Sequence, residues 1–413
     1  MEPEHIILGI IIAIFVLHFI WEQTLHFLNR KKMSPEIPTE LKGIYNEEQY
    51  AKQQAYQKEN NRFGIILESI SFVVILCMLL FGGFGYLDGI FRQVTDNFIG
   101  LPLLYLGSLL LVSQLVSLPF SWYDTFVIEQ KYGFNRTTPA VFFLDFIKSL
   151  LLSLVLGGIL LSLVLLFYQA TGQWFWIFAW VIISGISVLF SLFYSEWIVP
   201  LFNKQKPLRS GELRQQIETF AWNLGFEIKN IYVIDGSKRS TKANAYFTGW
   251  GRKKRIVLYD TLIKELEPDE ILGVLAHEMG HNNLKHIRQA LIMSVVNTGI
   301  TLFLLSLFLD SPLLAQSLGG DIPSFHLGLI AFSFLFAPIS EITGLLFNYI
   351  SRQNEYAADA YAAQKGKKDA LISGLKKIST QSLSNLNPHP YVVFCLYSHP
   401  TLLQRIKKLR IKS

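Results

Sequence analysis

Two histidines four residues apart, with an acid directly after the first, form the stretch of this chain that could do chemistry: His277-Glu278-Met279-Gly280-His281. On a helix, side chains four apart rise from one face, a turn from each other. That is the separation two ligands of a tetrahedral zinc ion need. Glu278 lies about 100° further round, within reach of a water at such an ion without being a ligand itself. A catalytic site requires a third protein ligand and an open fourth position. The candidate source is Glu355-Tyr356-Ala357-Ala358-Asp359. Glu355 and Asp359 are one turn apart, so Glu355 can bind the ion while Asp359 accepts the outer N–H of a ligand histidine and fixes its tautomer. A solvated helix face is the plain alternative for either stretch. The acidic pair alone favours that alternative; the pair together with the histidines does not.

The flanking residues supply the helices these side chains need. Pro268 suits a first-turn position, and Asp269 and Glu270 beside it favour a helix start. Ile271, Leu272, Val274 and Leu275 then repeat at helical spacing. The motif helix is expected to run almost straight into an apolar span, with only His286-Ile287-Arg288 between. His286, five positions past His281, falls off the ligand face and outside the metal shell. Upstream, residues 212–224 read as an amphipathic helix. Residues 231–234, 244–248 and 255–259 read as short strands of a small β-sheet, the last two joined by a turn at Gly249-Trp250-Gly251.

A soluble chain of 413 residues would hold two or three domains. Here 51% of residues are hydrophobic and 16% charged, with a mean hydropathy of +0.34, which is membrane territory. Seven apolar runs reach spanning length: residues 6–27, 63–81, 99–120, 142–168, 174–194, 290–309 and 325–349. The first lacks a basic leading region and a small-residue cleavage site, so it reads as a retained anchor. Segments 29–62, 121–148 and 195–288 and the tail after 349 hold 36 of the 37 Lys and Arg, and they share one side if the spans alternate. The positive-inside rule then puts the N-terminus outside and the long loop and C-terminus in the cytoplasm. The formal charge of +6 therefore describes topology, and no nucleic-acid partner is needed to explain it. Cys77 and Cys395 are the only cysteines, so there is no disulfide framework. The chain divides into five spans in 1–200, a cytoplasmic catalytic part in 201–288, two spans in 289–349, and a C-terminal part carrying the third ligand in 350–413. Glu68 and Glu341 lie inside spans and should face a partner or a water-filled interior. Pro338 is expected to break the seventh span locally.

With these residues in view, the chain resembles the CAAX prenyl protease 1 family, the Ste24-like integral-membrane zinc metalloproteases of peptidase family M48. The matching stretches are His277–His281 with Asn282-Asn283-Leu284-Lys285-His286 after it, and Ser351-Arg352 leading into Glu355–Asp359. Others are Asn244-Ala245-Tyr246-Phe247, Arg255–Leu262, Pro200-Leu201-Phe202-Asn203-Lys204, Ser398-His399-Pro400, Thr125–Glu129 and Gly133-Phe134-Asn135. The resemblance implies an all-α membrane protein of seven transmembrane helices enclosing a chamber, with a cytoplasmic gluzincin-type zinc protease domain. It implies Zn2+ as cofactor, held by His277, His281 and Glu355, with Glu278 as general base. It makes Asn244 and His399 contacts to the substrate backbone or the developing oxyanion. An edge strand opening at Asn244 could hold an extended peptide, and an Asn amide or imidazole N–H can stabilise an oxyanion. The family usually carries an aromatic where this chain has Asn282.

The expected activity is zinc-dependent endopeptidase action near the C-terminus of CAAX-type proteins, prenylated or not. Two rivals stand beside it: a membrane-protein quality-control protease without prenyl specificity, and a non-enzymatic transporter or structural bundle. Absence of paired repeat halves weighs against a transporter. The expected partners are a peptide or protein substrate, lipidated or plain, and membrane lipids; no nucleic acid and no obligate protein partner are called for. Short outer loops point to a bacterial inner membrane, or the endoplasmic reticulum membrane if the source is eukaryotic.

Overall fold

The structure is a computed structural model that describes residues 2–34, 36–226, 230–248 and 255–411. The chain opens on the helices α1 (Pro3–Lys31), α2 (Glu47–Leu80), α3 (Gly83–Arg92), α4 (Gly100–Tyr123), α5 (Pro139–Thr171) and α6 (Phe175–Trp197). Local signals set their starts. Asn46 caps α2 by accepting from the Gln49 N–H at 2.7 Å, and Thr138 caps α5 ahead of Pro139. The next part alternates: α7 (Val199–Phe202), β1 (Gln205–Pro207), α8 (Glu212–Asn223), β2 (Asn230–Ile234), β3 (Ala245–Thr248), β4 (Arg255–Tyr259), α9 (Asp260–Glu265) and α10 (Pro268–Asn283). Helices complete the chain: α11 (His286–Phe308), α12 (Pro312–Ser317), α13 (Phe325–Gln364), α14 (Lys368–Gln381), α15 (Pro390–Leu396) and α16 (Leu402–Ile411).

Among the described residues, six helical stretches are long and apolar enough to cross a membrane. One of them, Pro139–Phe202, is 64 residues long and contains both α5 and α6. Between these the chain turns through Gly172, at φ 54°, and the two helices then pack on each other. Among the described residues, the most apolar windows of α1, α2 and this stretch are only 6% buried. So much uncovered hydrocarbon is stable against lipid and not against water.

Packing gathers at two levels. Ile11, Leu79, Tyr105, Leu314 and Leu327 form one cluster, and Leu165, Phe175, Leu305 and Phe325 form its neighbour. At the other level, α10, α14, α16 and the sheet form the cores around Leu371 and Leu258. Between the levels the long helices bury almost nothing. α1 has no buried residue between Ile11 and Leu25, α2 none between Tyr56 and Leu79, and α13 none between Phe332 and Arg352.

The sheet has strand order β1-β2-β4-β3. β2 and β4 are parallel, with Tyr232 opposite Val257, while β1 and β3 are antiparallel to their neighbours. β1 gave no sequence signal, because Gln205-Lys206-Pro207 has no apolar alternation; pairing with β2 makes it a strand. The expected turn at Gly249–Gly251 lies outside the described residues. The α4–α5 connection and the first turns of α5 dock on the segment before β3: Lys242 Nζ lies 2.9 Å from Glu129 Oε2 of the connection, and Arg239 Nε lies 2.7 Å from Asp145 Oδ2 of α5.

Two expectations need correction. α13 runs unbroken through Pro338. A proline removes one hydrogen bond and crowds a carbonyl, but an open break in an apolar helix would strand several backbone groups in hydrocarbon. The motif helix also ends sooner than expected, at Asn283. Lys285, in the left-handed region at φ 62°, turns the chain so that α11 begins at His286.

Candidate active site

α10 is locked at its start. Glu267 and Glu270 form a capping box around Pro268. The buried Glu270 carboxylate also accepts from Ser373 Oγ at 2.6 Å and Lys377 Nζ at 2.7 Å, which ties α10 to α14. Ile271, Leu275, Ala276 and Met279 are fully enclosed, so this is a core helix whose ligand-bearing turn is held by packing. Two glycines allow the close approach. A Cβ at Gly273 would lie 2.6 Å from Leu371 N on α14, and one at Gly280 would lie 3.1 Å from Ala358 Cα on α13. The second matters most, because α13 carries Glu355.

The structure brings His277, His281 and Glu355 together, with one ligand atom from each within 4.8 Å of the others. The two Nε2 atoms are 3.1 Å apart. Glu355 Oε2 lies 3.4 Å from His277 Nε2, and Oε1 lies 3.2 Å from His281 Nε2. Tetrahedral ligands at about 2.0–2.1 Å from zinc sit about 3.4 Å from one another, so the spacing suits such an ion. Glu355 Oε2 is buried without a hydrogen-bond partner, a lone acceptor that a cation would satisfy. The donor set of two imidazoles and a carboxylate therefore fits a divalent metal.

Around this cluster the supporting contacts are specific. Asp359 Oδ1 lies 3.0 Å from His277 Nδ1. An ionised carboxylate only accepts, so Nδ1 carries the proton and Nε2 faces inward. Arg405 holds Asp359 through Nε at 2.9 Å and Nη2 at 2.6 Å. His286 Nδ1 lies 3.0 Å from His281 Nδ1. Burial and then the Arg405 charge push the His277 pKa down; the Asp359 and Glu355 carboxylates outweigh both and carry it up to about 9. Glu278 stands half-buried beside the ligands, and burial raises its carboxyl above the usual range against the pull of His277 and His281.

His399 reaches the cluster from the C-terminal part, with Nε2 3.3 Å from Glu355 Oε1. Arg352 helps to hold that segment, donating to the carbonyls of Val393 at 3.1 Å and Tyr397 at 2.5 Å. Asn244 precedes the edge strand β3, and its carbonyl accepts from the Tyr259 N–H at 3.1 Å. No contact joins Asn244 to the cluster among the described residues; β3 packs on α10, and that sets its place.

Arg405 and the His286 contact were not anticipated. A signal for Arg405 was present: Leu402, Arg405, Ile406 and Leu409 share the buried face of α16, and an arginine in such a stripe needs a buried acid. For His286 no signal existed without the left-handed turn at Lys285.

Paired imidazoles and a buried acid, held where apolar helices run into a compact core, are the arrangement of a membrane metalloprotease. Residues 26–204 match the family described as CAAX prenyl protease N-terminal, five membrane helices, and residues 207–412 match peptidase family M48. The chain belongs to peptidase family M48. It is 34% identical over 415 residues to the CAAX prenyl protease 1 homolog of Oryza sativa subsp. japonica, covering 97% of this chain and 96% of that one. It is 33% identical to CAAX prenyl protease 1 of Saccharomyces cerevisiae, covering 97% and 94%. The crystal structure of S. mikatae Ste24p superposes with a TM-score of 0.91 at 31% identity, covering 99% of both chains. The chain is thus a multi-pass membrane metalloprotease.

Proposed function

We propose that this chain is a zinc endopeptidase that cuts CAAX-type proteins near their C-termini, working at the cytoplasmic end of a seven-helix membrane chamber. The observation that carries the reading is the meeting of His277, His281 and Glu355 around Glu355 Oε2, a buried oxygen without a hydrogen-bond partner. The three side chains would hold the ion. When bound, zinc supplies a Lewis acid that polarises a carbonyl oxygen and acidifies water.

The remaining chemistry belongs to the chain. The Glu278 carboxylate takes a proton from the attacking water and returns it to the departing amine nitrogen; its raised pKa suits both transfers. Asp359, held by Arg405, keeps the His277 ring oriented. His399, whose Nε2 lies next to Glu355 Oε1, donates to the oxygen on which negative charge develops. The outer edge of β3, which pairs with no further strand among the described residues and is entered at Asn244, would take an extended substrate as an added strand.

The seven spans are α1, α2, α4, α5, α6, α11 and α13, counting α5 and α6 separately. The unburied middle turns of α1, α2 and α13 support a hollow between the packed levels. The distribution of 36 of 37 Lys and Arg supports a cytoplasmic site. The relatives named as CAAX prenyl proteases motivate the substrate class. A test is mass spectrometry of a peptide set ending in a CAAX sequence, prenylated and unprenylated, with and without chelator. Chelator-sensitive cleavage favouring prenylated peptides is expected. Equal cleavage of both would shift the assignment to a protease without lipid recognition, and none would overturn it.

A further inference from the structure

Five ionisable side chains sit together inside the spans, apart from the catalytic cluster. His18, Glu22 and His26 follow each other at four-residue intervals on one face of α1, and they meet Glu68 of α2 and Glu341 of α13. Carboxylates in an apolar slab need partners. Among the described residues no Lys or Arg pairs with any of the three acids.

The group divides into two halves of different character. On one side His26 Nε2 lies 2.8 Å from Glu68 Oε1, and His26 Nδ1 lies 2.7 Å from Asn61 Oδ1. Gln23 Nε2 donates to Glu68 Oε2 at 2.9 Å. These are direct hydrogen bonds, too short to admit an ion, and they satisfy one another. On the other side His18 Nδ1 stands 3.5 Å from Glu341 Oε1, and a ligand atom of Glu22 lies within 4.8 Å of both. The His18–Glu341 spacing is long for a hydrogen bond but close to the ~3.4 Å edge of a tetrahedral site. It matches the edges of 3.2 and 3.4 Å in the catalytic cluster.

We infer that His18, Glu22 and Glu341 form a second divalent transition-metal site, with one imidazole and two carboxylate ligands. An ion there would bridge α1 to α13, the helix that carries Glu355 some 14 residues further on, about 21 Å at the helical rise. It would offset the charge of Glu22 and Glu341, with which no Lys or Arg pairs among the described residues. Its role is structural: it fixes the N-terminal helix to the helix bearing the third catalytic ligand.

Metal content of the purified full-length chain tests this. The protein in detergent is stripped with chelator, dialysed against micromolar Zn2+ and assayed by elemental analysis. Two equivalents are expected for the wild type. Glu355→Ala should keep one, and adding Glu341→Gln to it should remove that one. Glu341→Gln or His18→Ala alone should keep one equivalent together with peptide hydrolysis, which shows that the variant is folded. Because Glu355→Ala leaves the α1–α13 cluster intact, it decides the matter even if the α1 variant misfolds. A wild type holding a single equivalent that Glu355→Ala abolishes would overturn the second site. So would two equivalents retained in Glu341→Gln.

Discussion

Arg405 supports the ligand side chains from outside the donor set, with Nη1 3.5 Å from Glu355 Oε2. It donates twice to Asp359, which in turn orients His277. Supporting contacts of this kind are typically worth 10- to 100-fold in metal affinity, so Arg405→Met is expected to weaken zinc binding by roughly that factor. Competition with a fluorescent chelator measures it; unchanged affinity would mean that Asp359 holds its position unaided. The proton on His277 gives a second test. Its pKa of about 9 lies above the usual histidine value, so the protonated ring stabilises the metal-free protein fully below about pH 6.5, and that contribution fades as pH rises through 9. Zinc must displace the second ring proton, the one on Nε2, while the Nδ1 proton stays with Asp359. The logarithm of the binding constant should therefore climb by about one per pH unit below pH 9 and level off above it, with one proton released in calorimetry across buffers of different ionisation enthalpy. The sites legible beforehand were those whose partners lie one helical turn away, such as His277 with His281 and Glu355 with Asp359. Arg405 was less so because its partner is 46 residues distant. His286 was hidden by the assumption of a straight helix.

Glu270 governs how the motif helix is set. Burial works to raise its pKa, but Lys377, Ser373 and the Glu267 N–H together hold it below the usual carboxylate value of 4.5. A depressed carboxyl contributes stability above its unfolded pKa and loses it as pH falls through the folded value. Glu270→Ala is thus expected to destabilise by about 1–2 kcal/mol near neutral pH, with the difference from wild type shrinking below pH 4.5; thermal unfolding at several pH values checks it. Elements with strong periodicity or caps were readable: α8, α10, β2, β4 and the apolar helices. β1 was not, since three polar residues become a strand only through their neighbour. The continuity of α13 through Pro338 was also missed, because lipid penalises a broken helix more than water does.

At the scale of the whole molecule, the packed levels hold the helices while their middle turns stay unburied. Apolar helices of spanning length and a charge bias could be read from residue types; which apolar faces find no protein neighbour could not, because that depends on packing. The proposed orientation has a direct check. A cysteine at Ser210, before α8, should react with a membrane-impermeant maleimide only when the cytoplasmic face is exposed, and one at Asp96, after α3, only from the opposite face. Labelling of both from the same side would reverse or refute the topology. The central claim concerns chemistry at Glu278. The most direct measurement is hydrolysis of one defined CAAX peptide by wild type and Glu278→Gln, each with zinc content determined. Bound zinc with a rate loss of about 100-fold or more is the expected result. Hydrolysis by the zinc-loaded variant at the wild-type rate would contradict it.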